Sequence, residues 1–196
     1  MRRRRSARWS EYALWSAGAI LLGYCAWAYG SAAMFQHEAE RRLEFQVAKA
    51  RAAAAAGVKA AAAHPVTGSL IGRLEIPAVH LSAIIVEGDG GRELRLGVGH
   101  VPGTALPGEA GNAGLAGHRD TFFRPLAGIS KGDEIIVTEP GGSYRYAVES
   151  TKIVKPDAAG ELAPSRSPSL TLVTCYPFHY IGAAPYRFIV HARKIG

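Results

Sequence analysis

Residues 12–36 carry no charged side chain and are dominated by Ala, Leu, Ile, Gly and aromatic residues. About 20 apolar residues span the hydrocarbon core of a bilayer, and only as a helix, because a helix satisfies its own backbone polar groups there. Arg2–Arg5 and Arg8 precede the run, Trp9 and Trp15 lie toward one end, and Trp27 to Tyr29 lie toward the other. Clustered arginines hold a flank on the cytoplasmic side, and tryptophan and tyrosine favour the two interfaces. The expected layout is a basic cytoplasmic arm at 1–11, a transmembrane anchor at 12–36 and everything after it outside. Ala26-Trp27-Ala28 also fits the small-x-small pattern of a cleaved signal peptide. The apolar run continues well past that point, which favours an anchor.

Residues 37–64 change character, being rich in Ala, Arg, Lys and Glu with no proline. This composition predicts a helical stalk. At 1.5 Å per residue, such a helix would hold the rest of the chain about 40 Å from the bilayer. Pro65 ends it, and 65–196 forms the remaining domain. The formal charge of +7 does not mark a nucleic-acid binder. Residues 1–64 hold 10 Lys/Arg against 4 Asp/Glu, whereas 65–196 hold 13 against 12. The folded part is close to neutral and lacks the basic face that phosphate backbones require.

Short β-like runs at 70–76, 80–86, 112–117, 133–138, 143–154, 170–175 and 186–192 fill the domain. Turn residues separate them, as in Gly88-Asp89-Gly90-Gly91, Lys131-Gly132-Asp133 and Glu139-Pro140-Gly141-Gly142. Helical turns fit only near 93–96 and 121–126. The pattern predicts an all-β sandwich or barrel with short helices.

Cys25 falls in the anchor and Cys175 in the domain, so the two do not pair. An unpaired thiol outside the cytoplasm calls for a reason; reactivity is one, inert packing another. In 169–175, alternation sets Thr171, Val173 and Cys175 on one face, and Tyr176-Pro177 stops the strand. Cys175 thus sits at a strand end. If 186–192 returns antiparallel beside it, Arg187 comes level with Cys175, where a guanidinium can hold a carbonyl and its oxyanion.

A thiol also needs a base. Of seven histidines, His37 and His64 belong to the stalk and its junction, and His80 and His191 read as structural residues within strands. His179 has no assigned role. His118, in Gly117-His118-Arg119-Asp120, and His100, in Gly99-His100-Val101-Pro102-Gly103, share glycine-rich settings. Composition and spacing do not separate those two.

Three blocks, Gly117-His118-Arg119-Asp120-Thr121-Phe122-Phe123, Thr171-Leu172-Val173-Thr174-Cys175-Tyr176-Pro177 and Arg187-Phe188-Ile189-Val190, resemble the signatures of the sortases, most closely class D, from about residue 70 to the end. The resemblance implies an eight-stranded β-barrel, one strand more than the pattern predicts. It implies Cys175 as nucleophile, His118 as general acid/base and Arg187 as oxyanion or substrate clamp. Thr174 and His100 are implied as supporting residues on the substrate side. It further implies a single-pass protein of the bacterial cytoplasmic membrane that cleaves an LPxTG-like signal of exported proteins and passes the acyl group to an amine of peptidoglycan or a pilin-like protein. No cofactor is implied, and no clustered acidic loop marks a calcium or other metal site. The segment 155–168 is expected to cover the substrate groove.

Overall fold

The computed structural model describes residues 2–55 and 65–196. Residues 56–64, the end of the expected stalk and its join to the domain, lie outside the described residues. The segments expected as arm, anchor and most of the stalk form one continuous helix, α1 (Arg2–Ala55). No proline interrupts it, so no intrahelical hydrogen bond is forfeited. Among the described residues, α1 is the one helix long and apolar enough to cross a membrane.

The domain holds eight strands: β1 (Leu70–Ile76), β2 (Leu81–Glu87), β3 (Val98–His100), β4 (Asn112–Ala116), β5 (Glu134–Glu139), β6 (Gly142–Val154), β7 (Ser169–Tyr176) and β8 (Tyr186–Lys194). They close into a barrel in the order β1-β2-β3-β4-β7-β8-β6-β5. β2–β3 and β4–β7 are parallel pairs and the others antiparallel. The strand that pattern reading misses is β3, whose three residues include Gly99 and show no alternation. A short helix, α2 (Glu93–Leu96), forms where one is expected. The turn expected near 121–126 forms instead as a 3-10 turn at Arg124–Gly128, with Pro125 in its first positions. His80 stands outside β2, with φ 53, closing the 3-10 turn Pro77–Val79.

Alternation fills the barrel. Leu170, Leu172, Val190 and Ala192 point inward from β7 and β8 and meet Leu74, Leu115, Ile135 and Tyr146. Each is at most 1 % exposed. Burying a Leu or Ile side chain contributes about 1.5–3 kcal/mol, so this interior supplies most of what holds the strands in register.

A second, smaller cluster joins α1 to the barrel: Ala39 and Leu43 pack on Ile84 and Val86, flanked by Phe35, Val47 and Leu70. Between them Gln36 takes the part of a strand. Its Oε1 accepts the Ile84 N–H at 2.9 Å, and its Nε2 donates to the Leu96 carbonyl. The expected stand-off stalk therefore lies against β2. The signal was a stripe at four-residue spacing, Phe35, Ala39, Leu43 and Val47, which composition alone hides among alanines.

Candidate active site

β7 is central to the site, flanked by β4 on one side and β8 on the other. Cys175 and Arg187 are direct antiparallel partners. Side chains so paired have Cβ atoms about 4.5–5.5 Å apart on the same face. That face is the outer one, because Leu170 and Leu172 of the opposite face belong to the barrel core, while Thr171 on the outer face is buried by its hydrogen bonding to Asn112 and His191. Cys175 is partly exposed, and its thiol is free. Arg187 donates only to the backbone carbonyls of Ala184 and Tyr186, and has no carboxylate partner among the described residues.

On the other flank the parallel register of β4 and β7 pairs Ala116 with Val173. Two bonds carry it past the strand ends: the Gly117 N–H donates to the Val173 carbonyl at 3.1 Å, and the Thr174 hydroxyl donates to the Gly117 carbonyl at 2.7 Å. His118 follows Gly117 directly, so extending this register by one residue sets it beside Cys175. His118 is half-buried, and its ring has no hydrogen-bond partner among the described residues. Gly117 has no room for a larger residue: a Cβ there would come within 2.7 Å of the Phe123 ring. That ring, fully buried, closes the turn in which the Phe123 N–H donates to the His118 carbonyl at 3.0 Å.

The other two expected residues sit elsewhere. The Thr174 side chain is 2 % exposed, and its hydroxyl is spent on Gly117. His100 is also 2 % exposed, with Glu87 Oε2 at 2.7 Å from Nδ1, and the Ala105 carbonyl at 2.9 Å and Thr104 Oγ1 at 3.1 Å from Nε2. Neither ring nitrogen is open to a substrate. Both residues brace the frame around the cleft: Thr174 ties the strand of the thiol to that of the imidazole, and His100 ties β3 to the chain before β4.

Three braces escaped the sequence reading. Arg119 Nη2 donates to the Tyr180 and Gly182 carbonyls at 2.7 and 2.9 Å, joining the turn after His118 to the 177–185 loop between Cys175 and Arg187. Tyr176, Phe178 and Phe188 stack beneath that loop, with ring centroids 5.2–6.4 Å apart. The 155–168 segment folds back over the outer face of β4, β7 and β8. There the His191 ring meets Glu161 Oε2 at 2.6 Å, Lys152 Nζ lies 3.2 Å from the same oxygen, and Asn112 Nδ2 donates to the Glu161 and Ala163 carbonyls. Leu162 of this segment crosses Gly114 so closely that a Cβ would lie 2.9 Å from it. No motif marks these contacts, and those of Arg119, Asn112 and His191 join residues 30 or more positions apart. The hydrogen bond with His191, and then that from Lys152, hold the Glu161 carboxyl below its usual range.

A free thiol, an imidazole and an unpaired guanidinium at one barrel end suit acyl transfer. A sortase domain model matches residues 74–195. Sortase D of Bacillus subtilis (strain 168) is 39% identical over 132 residues, 67% of each chain. Sortase A of Bacillus anthracis is 31% identical over 110 residues, 54% of this chain and about half, 52%, of that protein. In fold, the chain superposes on a Clostridium perfringens sortase D5 transpeptidase with a TM-score of 0.67 at 24% identity, covering 83% of this chain and 97% of the other. The chain belongs to the sortase family of cysteine transpeptidases. Within that family it is most similar to class D.

Proposed function

We propose that this sortase joins exported proteins bearing an LPxTG-like sorting signal to a primary amine, using Cys175, His118 and Arg187. The single observation that carries the reading is the position of β7, which pairs Cys175 with Arg187 on one flank and runs beside the strand that leads into His118 on the other. The Cys175 thiolate attacks the threonine carbonyl of the signal, and Arg187 donates to the oxygen as it takes up charge. His118, as imidazolium, gives its proton to the departing amine, and the C–N bond breaks to leave a thioester on Sγ. The neutral ring then takes a proton from the incoming amine, whose nitrogen attacks the thioester. A new amide forms and the thiolate is released. The cycle consumes no cofactor.

The setting accords with the same reading. The arm, 1–11, lies in the cytoplasm, α1 crosses the bacterial cytoplasmic membrane once, and the catalytic domain, 65–196, lies outside. The acceptor is an amine of peptidoglycan or of a pilin-like protein. The test is to incubate the purified protein with a sorting-signal peptide and an amine and weigh the products. A Cys175 adduct and a ligated peptide are expected. Absence of any adduct at Cys175 overturns the reading, and cleavage without ligation reduces it to hydrolysis.

A further inference from the structure

The order in which α1 meets β2 gives the barrel a direction. Tyr29 and Ala32 line a hollow with Leu81, Ser82 and Arg95, Gln36 clasps Ile84, and Ala39 and Leu43 pack on Val86. The helix thus climbs β2 from its first residue to its last. Tyr29 and Gln36 both face the barrel, so the lipid-spanning stretch ends before Tyr29; residues 12–28, about 26 Å of helix, are long enough. The first end of β2 is therefore the end nearest the bilayer. Strand directions place the last residues of β4, β6 and β7 and the first of β8 at that same end. It is the end that carries Cys175, His118 and Arg187.

At this end the 177–185 loop presents Ile181, 99% exposed, beside Tyr180, 46% exposed. A lone exposed apolar side chain is tolerated in water; what distinguishes this one is its place beside Tyr180 at the tip of the barrel end nearest the bilayer. The loop is a braced one, held by the two Arg119 bonds, with the Arg119 guanidinium over the Tyr180 ring at 6.0 Å. The turns at this barrel end carry exposed Arg124, Lys131 and Lys155 against exposed Asp120 and Asp157. An apolar tip, an aromatic beside it and a surplus of cations match the interface of an anionic phospholipid bilayer.

We propose that the barrel end carrying Cys175 rests on the membrane surface, with Ile181 seated among the lipid headgroups. The proposal rests on the reading of α1 as a membrane-crossing helix. The cleft then opens at the level of the headgroups rather than at the end of a long spacer.

The test uses the full chain with Cys25 and Cys175 both replaced by Ala, reconstituted in phosphatidylcholine/phosphatidylglycerol nanodiscs. An environment-sensitive fluorophore is attached in turn at Ile181→Cys, at Val66→Cys on the opposite barrel end, and at Leu22→Cys in α1. Nitroxides on lipid headgroups or acyl chains serve as quenchers. Headgroup quenching at least about threefold greater at 181 than at 66 is expected for a tip lying within the interface. Acyl-chain quenching at 22 with equal headgroup quenching at 181 and 66 overturns the docked surface and leaves the anchor standing. No acyl-chain quenching at 22 removes the anchor, and the proposal with it.

Discussion

Cys175 and Arg187 face one another across the β7–β8 ladder, the thiol free and the guanidinium without a carboxylate among the described residues. An arginine that carries no structural ion pair is free to meet charge that develops on a substrate. Arg187→Ala is expected to lower kcat/KM by about 10²–10³, the loss typical of removing one oxyanion donor, with the melting temperature little changed. Arg187→Lys should restore little, because an ammonium lacks the planar fork of donors. Steady-state kinetics of peptide ligation, with calorimetry as the control for folding, measures both.

Thr174 couples the two strands that carry the thiol and the imidazole through its bond to Gly117. Thr174→Val keeps the shape but leaves the Gly117 carbonyl unpaired in the interior, at a cost of about 1–3 kcal/mol. A fall in kcat together with a lowered melting temperature is expected, and Thr174→Ser should recover much of both. If Thr174→Val ligates at the wild-type rate, the bond does not position His118.

Arg119 should act on the 177–185 loop rather than on the chemistry. Arg119→Ala removes both bonds to the loop. The expected result is faster amide hydrogen exchange over 180–182 and a raised KM, with kcat less affected. A loss confined to kcat would move Arg119 into the chemical step.

The Glu87–His100 pair is buried. Removing one member leaves the other without its hydrogen bond in the interior, so Glu87→Ala is expected to cost about 1–3 kcal/mol, read by chemical denaturation. His100→Ala should destabilise in the same way while leaving thioester formation on Cys175 detectable at temperatures where the variant is folded. A folded His100→Ala protein that forms no adduct would make His100 part of the chemistry.

Glu139 gives the fold a pH dependence of predictable sign. Burial, and then the nearby Glu109 charge, raise its pKa from 4.5 to about 8. The folded chain keeps this proton up to about pH 8, whereas the unfolded chain releases it near pH 4.5. Stability from this group is thus fully present below pH 4.5 and is lost as pH rises through 8. Glu139→Gln does not titrate. The melting temperature of the wild type should therefore fall relative to that of the variant across this window, and a constant difference from acid to alkaline pH would contradict the assignment.

The sequence by itself determined the elements whose signals are local. Charge and apolarity over 1–36 mark a helix that suits a bilayer, alternation and turn residues mark seven of the eight strands, and three short blocks point to the family. Even the level of Arg187 with Cys175 came from counting along an assumed antiparallel return, since side chains alternate with a period of two.

The tertiary structure alone decided what depends on contacts between distant segments. His118 and His100 have the same glycine-rich surroundings in sequence, but one follows directly on the strand paired with β7 and stays half-exposed, while a buried carboxylate holds the other inside. The braces at Arg119, Glu161 and Gln36 use ordinary polar side chains whose partners lie tens of residues away. The run after residue 36 has the composition of a free spacer, and only the packing of Ala39 and Leu43 on Ile84 and Val86 turns it into a strut laid along the barrel. Composition sets whether a helix forms, but its place is chosen by the surface that buries its apolar stripe.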